Sequence, residues 1–215
     1  MAENLIEAQY DVTKKSKLKK FYEKNKILFF SFIFSLMLVF GSSSIYLEKK
    51  EKKRVLLSEN YLQAKIYLEG GNKNKALSVL KEVIFANDPT YSTLCLFLAM
   101  NQNLITDYRE LSGLFDHLLE NNKFSKEERN LLIYKKALLN SNFVNESEML
   151  KSIKPLLSTE TFWKPHALLL LGDYFVSKGE YIKAIEFYQK IFTINNLHKN
   201  LYNHARSQLA IISNE

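Results

Sequence analysis

The sequence predicts an all-α protein: a single N-terminal transmembrane helix, then an α-solenoid of about four helical hairpins and a C-terminal capping helix. Three observations support this prediction: a long apolar run near the N-terminus, an internal match at a separation of 108 residues, and helical periodicity in the segments between. We expect four parts: a basic tail at 1–26, the transmembrane helix at 27–47, a charged neck at 48–54 and the repeat domain at 55–215.

The positive charge of the chain is concentrated around the apolar run. Residues 1–54 contain 12 lysines and arginines against 6 acidic residues, whereas residues 55–215 contain 18 against 17. A duplex-binding module needs its basic residues on the folded domain, because phosphate neutralisation supplies most of its affinity. We therefore expect no nucleic-acid partner.

The predicted anchor is the uncharged stretch from Ile27 to Leu47, which has 21 residues. As a helix it would be roughly 31 Å long, which matches the hydrocarbon core of a bilayer. A cleaved secretory signal with Ser42 and Ser44 at its cleavage site is the alternative. The 26 residues before the run are long for a signal, and Tyr46 suits an uncleaved helix at the interface, so we favour an anchor.

The membrane orientation follows from the length of the two flanking parts. Basic residues flank the run on both sides, seven before it and five after it. Long domains translocate largely regardless of charge, so the short tail is the part expected to stay in the cytoplasm. The repeat domain is then expected outside the cytoplasm.

The internal match relates a hairpin near the anchor to one near the C-terminus. Gly71, Lys75 and Ala76 recur 108 residues later as Gly179, Lys183 and Ala184. This separation corresponds to three units of 36 residues, which implies four stacked hairpins. The intervening segments, about 91–122 and 127–157, read as helix pairs by periodicity alone, and Asn200–Ile212 remains as a terminal capping helix.

The last unit contains the signature of tetratricopeptide repeats, which are antiparallel helix pairs of about 34 residues. Its matching positions are Leu171, Gly172, Phe175, Gly179, Ala184 and Tyr188. We expect Gly172 and Ala184 where the two helices approach closely, and Gly179 in the turn between them, where a positive φ favours glycine.

The whole chain resembles the bacterial ancillary Sec-translocon subunit family, which has a tetratricopeptide-like periplasmic domain. The resemblance is carried by the order of the parts, by KFYEKNK before the anchor, by DPTY at Asp88–Tyr91 and by LGDYFVSKGEYIKAIEFYQKIF near the end. It implies a protein of the bacterial inner membrane, with a cytoplasmic N-terminus and a periplasmic domain. The implied partners are Sec translocon subunits, periplasmic chaperones or client chains.

The predicted docking groove is lined by the first helix of each hairpin, as in other solenoids. The register of the last unit places five residues in it: His166, Leu169, Asp173, Val176 and Ser177. The 108-residue match adds Tyr61, Lys65, Leu68 and Glu69 from the first unit.

The sequence lacks the common motifs of catalytic and metal-binding sites. It has no glycine-rich phosphate loop, no GxSxG and no HExxH, and its histidines lie at least six residues apart rather than at the spacing of a metal pair. We expect Cys95 to be a buried core residue. The protein is therefore predicted not to be an enzyme and to have no cofactor, metal or small-molecule substrate.

Two interpretations remain open at this stage. Phe162 and Trp163 before Pro165 form either an aromatic ligand patch or a packing contact at the start of the next helix. The scaffold could also serve envelope assembly or cell division instead of the translocon, because anchored repeat domains suit those processes too.

Overall fold

The computed structural model describes residues 17–158 and 161–213, and within these ranges it contains helices and no strand. The predicted all-α class is confirmed. The helices are α1 (Lys17–Glu69), α2 (Lys73–Ile84), α3 (Tyr91–Asn101), α4 (Tyr108–Asn121), α5 (Lys126–Asn140), α6 (Glu146–Leu157), α7 (Lys164–Ser177), α8 (Tyr181–Phe192) and α9 (Lys199–Ile212). Helix α9 is the predicted capping helix, whereas residues 1–16 of the predicted tail lie outside the described residues.

The apolar run lies in α1, after a kink at Asn25, where φ is −118° and ψ is 17°. From Lys24 onward this helix is long and apolar enough to cross a membrane, and its most apolar 18-residue window has a mean hydropathy of 2.0 with no residue buried. Phe32, Phe34 and Val39 are each about 60% exposed, so these apolar side chains remain largely uncovered by the described residues. The Ser42 hydroxyl donates to the Val39 carbonyl at 3.0 Å, which satisfies it without water.

The chain divides into two compact units, one ending at Val55 and the other beginning at Leu56. The boundaries that we predict at residues 26, 47 and 54 remain predictions. The second unit contains residues 56–69 of α1 together with α2 to α9, and these form four hairpins followed by the single helix α9.

The four hairpins repeat the same buried positions at unequal intervals. Small residues recur on the first helix of each hairpin, and the intervals between them are 35, 38 and 35 residues: Ala64, Ala99, Ala137 and Gly172. The second helices repeat with the same intervals at two further fully buried positions: Leu80, Phe115, Ile153 and Tyr188, and then Val83, Leu118, Leu156 and Ile191. The prediction of equal units of 36 residues is therefore wrong. The three extra residues lie between Leu118 and Ala137, where α4 has 14 residues while α2, α6 and α8 have 12.

Helices α7 and α8 approach each other closely at Gly172, as predicted. A Cβ added there would overlap three ring carbons of Tyr188, which is fully buried on α8. Since interiors are close-packed, only a residue without a side chain lets the ring lie flat against α7 at this position. Ala184, on the facing side of α8, is also fully buried.

The turns between helices depend on residues that tolerate a positive φ. Gly179 has a φ of 74° and Gly71 a φ of 73°, which confirms the turn role predicted for Gly179. Asparagine takes the left-handed conformation at three other helix ends: Asn87, Asn103 and Asn196. The starts of α5 and α6 have capping boxes, in which a serine or asparagine side chain and a glutamate satisfy exposed amides reciprocally.

The core of the repeat domain consists of two clusters that both include residues of α5. The N-terminal cluster contains the buried side chains from Leu57 to Leu132, and the C-terminal cluster contains those from Ala137 to Ile212. Cys95 belongs to the first cluster and is fully buried, as predicted. Burial raises the pKa of its thiol to about 12, so almost no reactive thiolate forms at neutral pH.

We expect Gly172→Ala to lower the free energy of unfolding by about 1–3 kcal/mol, because the new methyl group overpacks against Tyr188. The measurement is urea denaturation of the full chain in detergent, followed by the fluorescence of Trp163, the only tryptophan.

Gly113→Ala is the matched control, because Gly113 lies inside α4 and a Cβ there would meet nothing within 4 Å. This variant should gain up to about 1 kcal/mol from the higher helix propensity of alanine. Equal effects of the two substitutions would contradict the close approach of α7 and α8.

Candidate docking surface

The groove residues predicted from the first unit lie on α1. Tyr61 is half-buried against the N-terminal core cluster, and Leu68 is also half-buried. Lys65 and Glu69 are exposed. This set offers a partly apolar helix face with one cation and one anion at its edge.

The residues predicted from the last unit lie on α7. Leu169 and Val176 are half-buried on the C-terminal core cluster, and His166 and Asp173 are half-buried between helices. The hydroxyl of Ser177 donates to the Tyr174 carbonyl at 2.7 Å, which directs it towards its own helix. Ser177 is exposed and its hydroxyl can still accept a hydrogen bond, so the groove assignment of all five residues remains a prediction.

Asp173 accepts a hydrogen bond from α8, and side chains of α5 and α9 approach it. The Tyr188 hydroxyl donates to its Oδ1 at 2.6 Å, and the Nε2 of His204 on α9 lies 3.7 Å from the same atom. Tyr134 on α5 is close enough for the Asp173 charge to raise its pKa, although burial is the larger cause of that shift. Helices α5, α7 and α9 thus meet around this carboxylate.

An aromatic cluster lies on the same face. It consists of Tyr134, Phe162, Trp163 and His166, whose neighbouring ring centroids are 5.1–6.0 Å apart. Trp163 packs on the C-terminal core cluster, whereas Phe162 is 66% exposed. The packing interpretation is therefore confirmed for Trp163, whereas the ligand patch at the exposed Phe162 remains a prediction.

Three residues of this face were not predicted from the sequence: Tyr134, Leu138 and His204. Tyr134 precedes Leu169 by 35 residues and so takes the equivalent place in the third hairpin, where Leu131 and Leu138 correspond to His166 and Asp173. A comparison of the sequence with itself at an interval of 35 residues, instead of 36, would have found Tyr134. His204 gave no signal, because it lies on α9, outside the repeats. We call the face formed by Tyr134, Leu138, Phe162, His166, Leu169, Asp173, Val176 and His204 the odd-helix face.

The odd-helix face does not continue through the second hairpin in the same form. Leu96 follows Tyr61 by 35 residues and is fully buried, so the equivalent position on α3 belongs to the core. The α1 set packs on the N-terminal cluster and the α7 set on the C-terminal cluster. The predicted groove residues thus form two separate patches.

The groups that the odd-helix face presents are suited to holding a ligand. No group of three or more His, Cys, Asp or Glu side chains able to hold a metal ion occurs in the described part of the chain. Burial lowers the pKa of His166 below its ordinary value of 6.5, and a charged His198 would lower it further, while its hydrogen bond to the Phe162 carbonyl opposes the shift. The face therefore offers apolar rings, one imidazole and one anchored carboxylate.

Comparison with known families identifies the unit that carries this face. Residues 165–196 match the tetratricopeptide repeat. This tetratricopeptide unit spans α7, α8 and the turn between them, and it includes both Gly172 and Asp173. No curated protein and no solved structure gave a significant match. Tetratricopeptide repeats are protein-interaction modules and are generally non-catalytic, and the match therefore points to protein partners.

We expect the tetratricopeptide unit to lose stability in acid through His166. Because the pKa of His166 is lower in the folded chain than in the unfolded chain, the unfolded chain binds more protons once the pH falls below about 6.5. The free energy of unfolding should then fall with a slope of at most about 1.4 kcal/mol per pH unit from this group. Urea denaturation between about pH 5.5 and 7.5 measures it.

His166→Gln keeps a polar side chain that does not titrate and serves as the comparison. The pH dependence of this variant should be shallower than that of the wild type over the same range. Identical slopes would show that His166 does not change its pKa on folding.

Proposed function

We propose that this protein is a membrane-anchored, non-catalytic scaffold that docks protein partners on the odd-helix face. The observation that supports this most is the row on α7, where Leu169 and Val176 leave apolar surface beside the Asp173 carboxylate and the exposed ring of Phe162. Protein docking sites typically combine a partly buried apolar centre with a few oriented polar groups. The α1 set around Tyr61 would be a second, smaller contact.

The proposed anchor would support this function by raising the concentration of the domain at the membrane. A domain tethered at the bilayer meets a membrane-embedded partner at an effective concentration far above its average in the cell, so that weak contacts suffice. Exposed apolar side chains all round the helix after Lys24, and their hydropathy, support a membrane location. The lysine-rich residues 48–54 that follow would lie near anionic headgroups.

We propose further that the scaffold is an ancillary subunit of the Sec translocon in the bacterial inner membrane, which passes emerging chains to periplasmic chaperones. The support is the resemblance in the order of the parts, together with the tetratricopeptide match at residues 165–196. The proposed orientation has the tail in the cytoplasm and the repeat domain in the periplasm, because a long domain translocates largely regardless of its flanking charges.

We expect Leu169→Asp to abolish cross-linking in intact cells to translocon subunits and periplasmic chaperones, because it places a charge in the apolar row. Tyr61→Asp should reduce the same cross-links if the α1 set contributes. The measurement is amine-reactive cross-linking of the full chain, with the adducts identified by mass spectrometry and the fold checked by circular dichroism.

Ile182→Asp is the matched control, because Ile182 is 79% exposed at the start of α8 and lies off the odd-helix face. Its adducts should equal those of the wild type. Unchanged adducts in a folded Leu169→Asp variant would reject the docking face. Adducts confined to wall-synthesis or division proteins would reject the translocon assignment and favour a scaffold for envelope assembly.

The orientation can be tested with a cysteine introduced at an exposed site. Ser207→Cys places a thiol on the exposed side of α9, and a membrane-impermeant maleimide should label it in intact spheroplasts. The buried Cys95, whose pKa is raised to about 12, should stay unlabelled in the wild type and so serves as the internal blank. Labelling that requires lysis would place the repeat domain in the cytoplasm.

A further inference from the structure

We infer that the odd-helix face receives a partner segment with a lysine or arginine that pairs with Asp173, and with a bulky apolar residue that packs on the aromatic cluster. This inference rests on the proposed function and specifies the partner's chemistry. Three features of the face support it: an anchored carboxylate, the absence of a lysine or arginine paired with that carboxylate among the described residues, and an exposed ring beside His166 on the same helix.

The carboxylate of Asp173 is held in place by the packing of the hairpin. The missing Cβ of Gly172 lets the Tyr188 ring lie against α7, and the Tyr188 hydroxyl then donates to Asp173 Oδ1 at 2.6 Å. Because Tyr188 is fully buried, its hydroxyl has little freedom to move away. The carboxylate is thereby oriented before any partner arrives, which reduces the entropy cost of binding.

The carboxylate of Asp173 has no lysine or arginine partner among the described residues. Its side chain is 44% exposed. The groups that approach it are the Tyr188 hydroxyl, the ring of Tyr134 and the His204 imidazole at 3.7 Å. A carboxylate accepts at both oxygens, and Tyr188 and His204 both approach the same one.

A cation is therefore the complementary group for this position. Hydrogen bonds between a charged donor and a carboxylate are about twice as strong as neutral ones, and the half-buried setting screens them less than open solvent would. Lysine and arginine bring the charge on a long aliphatic stem, and that stem can lie along Leu169 and Leu138. An acidic partner residue would be repelled at the same place.

The aromatic cluster fixes a second contact at a defined distance. His166 and Asp173 are seven residues apart on α7, which is about 10.5 Å along the helix axis. Phe162 lies beside His166, with ring centroids 5.1 Å apart, and is 66% exposed. An extended partner covers about 10 Å in three residues, and a helical partner covers it in seven. The partner should thus carry its basic and bulky apolar residues at one of these two spacings.

The test is a selection of random peptides displayed on phage, carried out on the full chain in lipid nanodiscs. Wild-type protein should enrich peptides with a lysine or arginine three or seven residues from a large apolar residue. On Asp173→Asn the basic residue should no longer be enriched, and a synthetic peptide of the selected sequence should bind about tenfold more weakly by fluorescence polarisation. The asparagine oxygen still accepts from Tyr188, so the packing is preserved.

Two further variants separate charge from fold. His204→Lys leaves Asp173 intact but places a permanent cation beside it, and it should remove the basic preference to a similar extent. Glu186→Gln removes an exposed carboxylate from α8 and should leave the selected sequences unchanged. Circular dichroism of each variant confirms that it is folded.

The outcomes distinguish this inference from the docking function itself. The inference is overturned, and the docking face stands, in two cases. In the first, the selected peptides need Leu169 but contain no basic residue. In the second, selection on Asp173→Asn still enriches the basic residue. Enrichment at other spacings overturns the two-contact arrangement. Peptides that bind Leu169→Asp as well as the wild type, or no enrichment at all, contradict the docking function and the inference together.

Discussion

Close approach between the two helices of a hairpin is the constraint on which the repeat domain depends. Each hairpin has a small buried residue on its first helix and a row of large buried residues on its second helix. At Gly172 the constraint is strictest, because the Tyr188 ring occupies the place where a side chain would begin. A helix pair of this kind exposes apolar surface on both sides, and the neighbouring pairs bury it, so the four hairpins and α9 stabilise one another.

The proposed docking site follows from the same contact. The ring that fills the space at Gly172 also carries the hydroxyl that orients Asp173, so one residue serves the core with its carbons and the surface with its oxygen. Asp173 needs no loop to position it, because it lies inside α7 and groups of α5 and α9 approach it. The arrangement joins the packing of the tetratricopeptide unit directly to its surface chemistry.

The sequence predicted the fold class, because apolar runs and helical periodicity are local signals. It also predicted the last unit in detail, since Gly172, Gly179 and Tyr188 are all signature residues. The second and third units were recognised only as helix pairs, for two physical reasons. Their close-approach residues are alanines, which are common in any helix, and the three additional residues before Ala137 break a constant period. Tyr134 and His204 come near Asp173 only through contacts between different helices, which no local pattern records.

The division of the core into two clusters has a mechanical consequence. Along the chain the N-terminal cluster comes directly after the apolar part of α1, while the odd-helix face belongs to the C-terminal cluster, and each cluster contains a buried residue of α5. In the proposed scaffold, a load applied at Asp173 would pass through α5 and the N-terminal cluster before it reached the apolar part of α1. Both clusters of the core would therefore bear any force that a partner exerts on the domain.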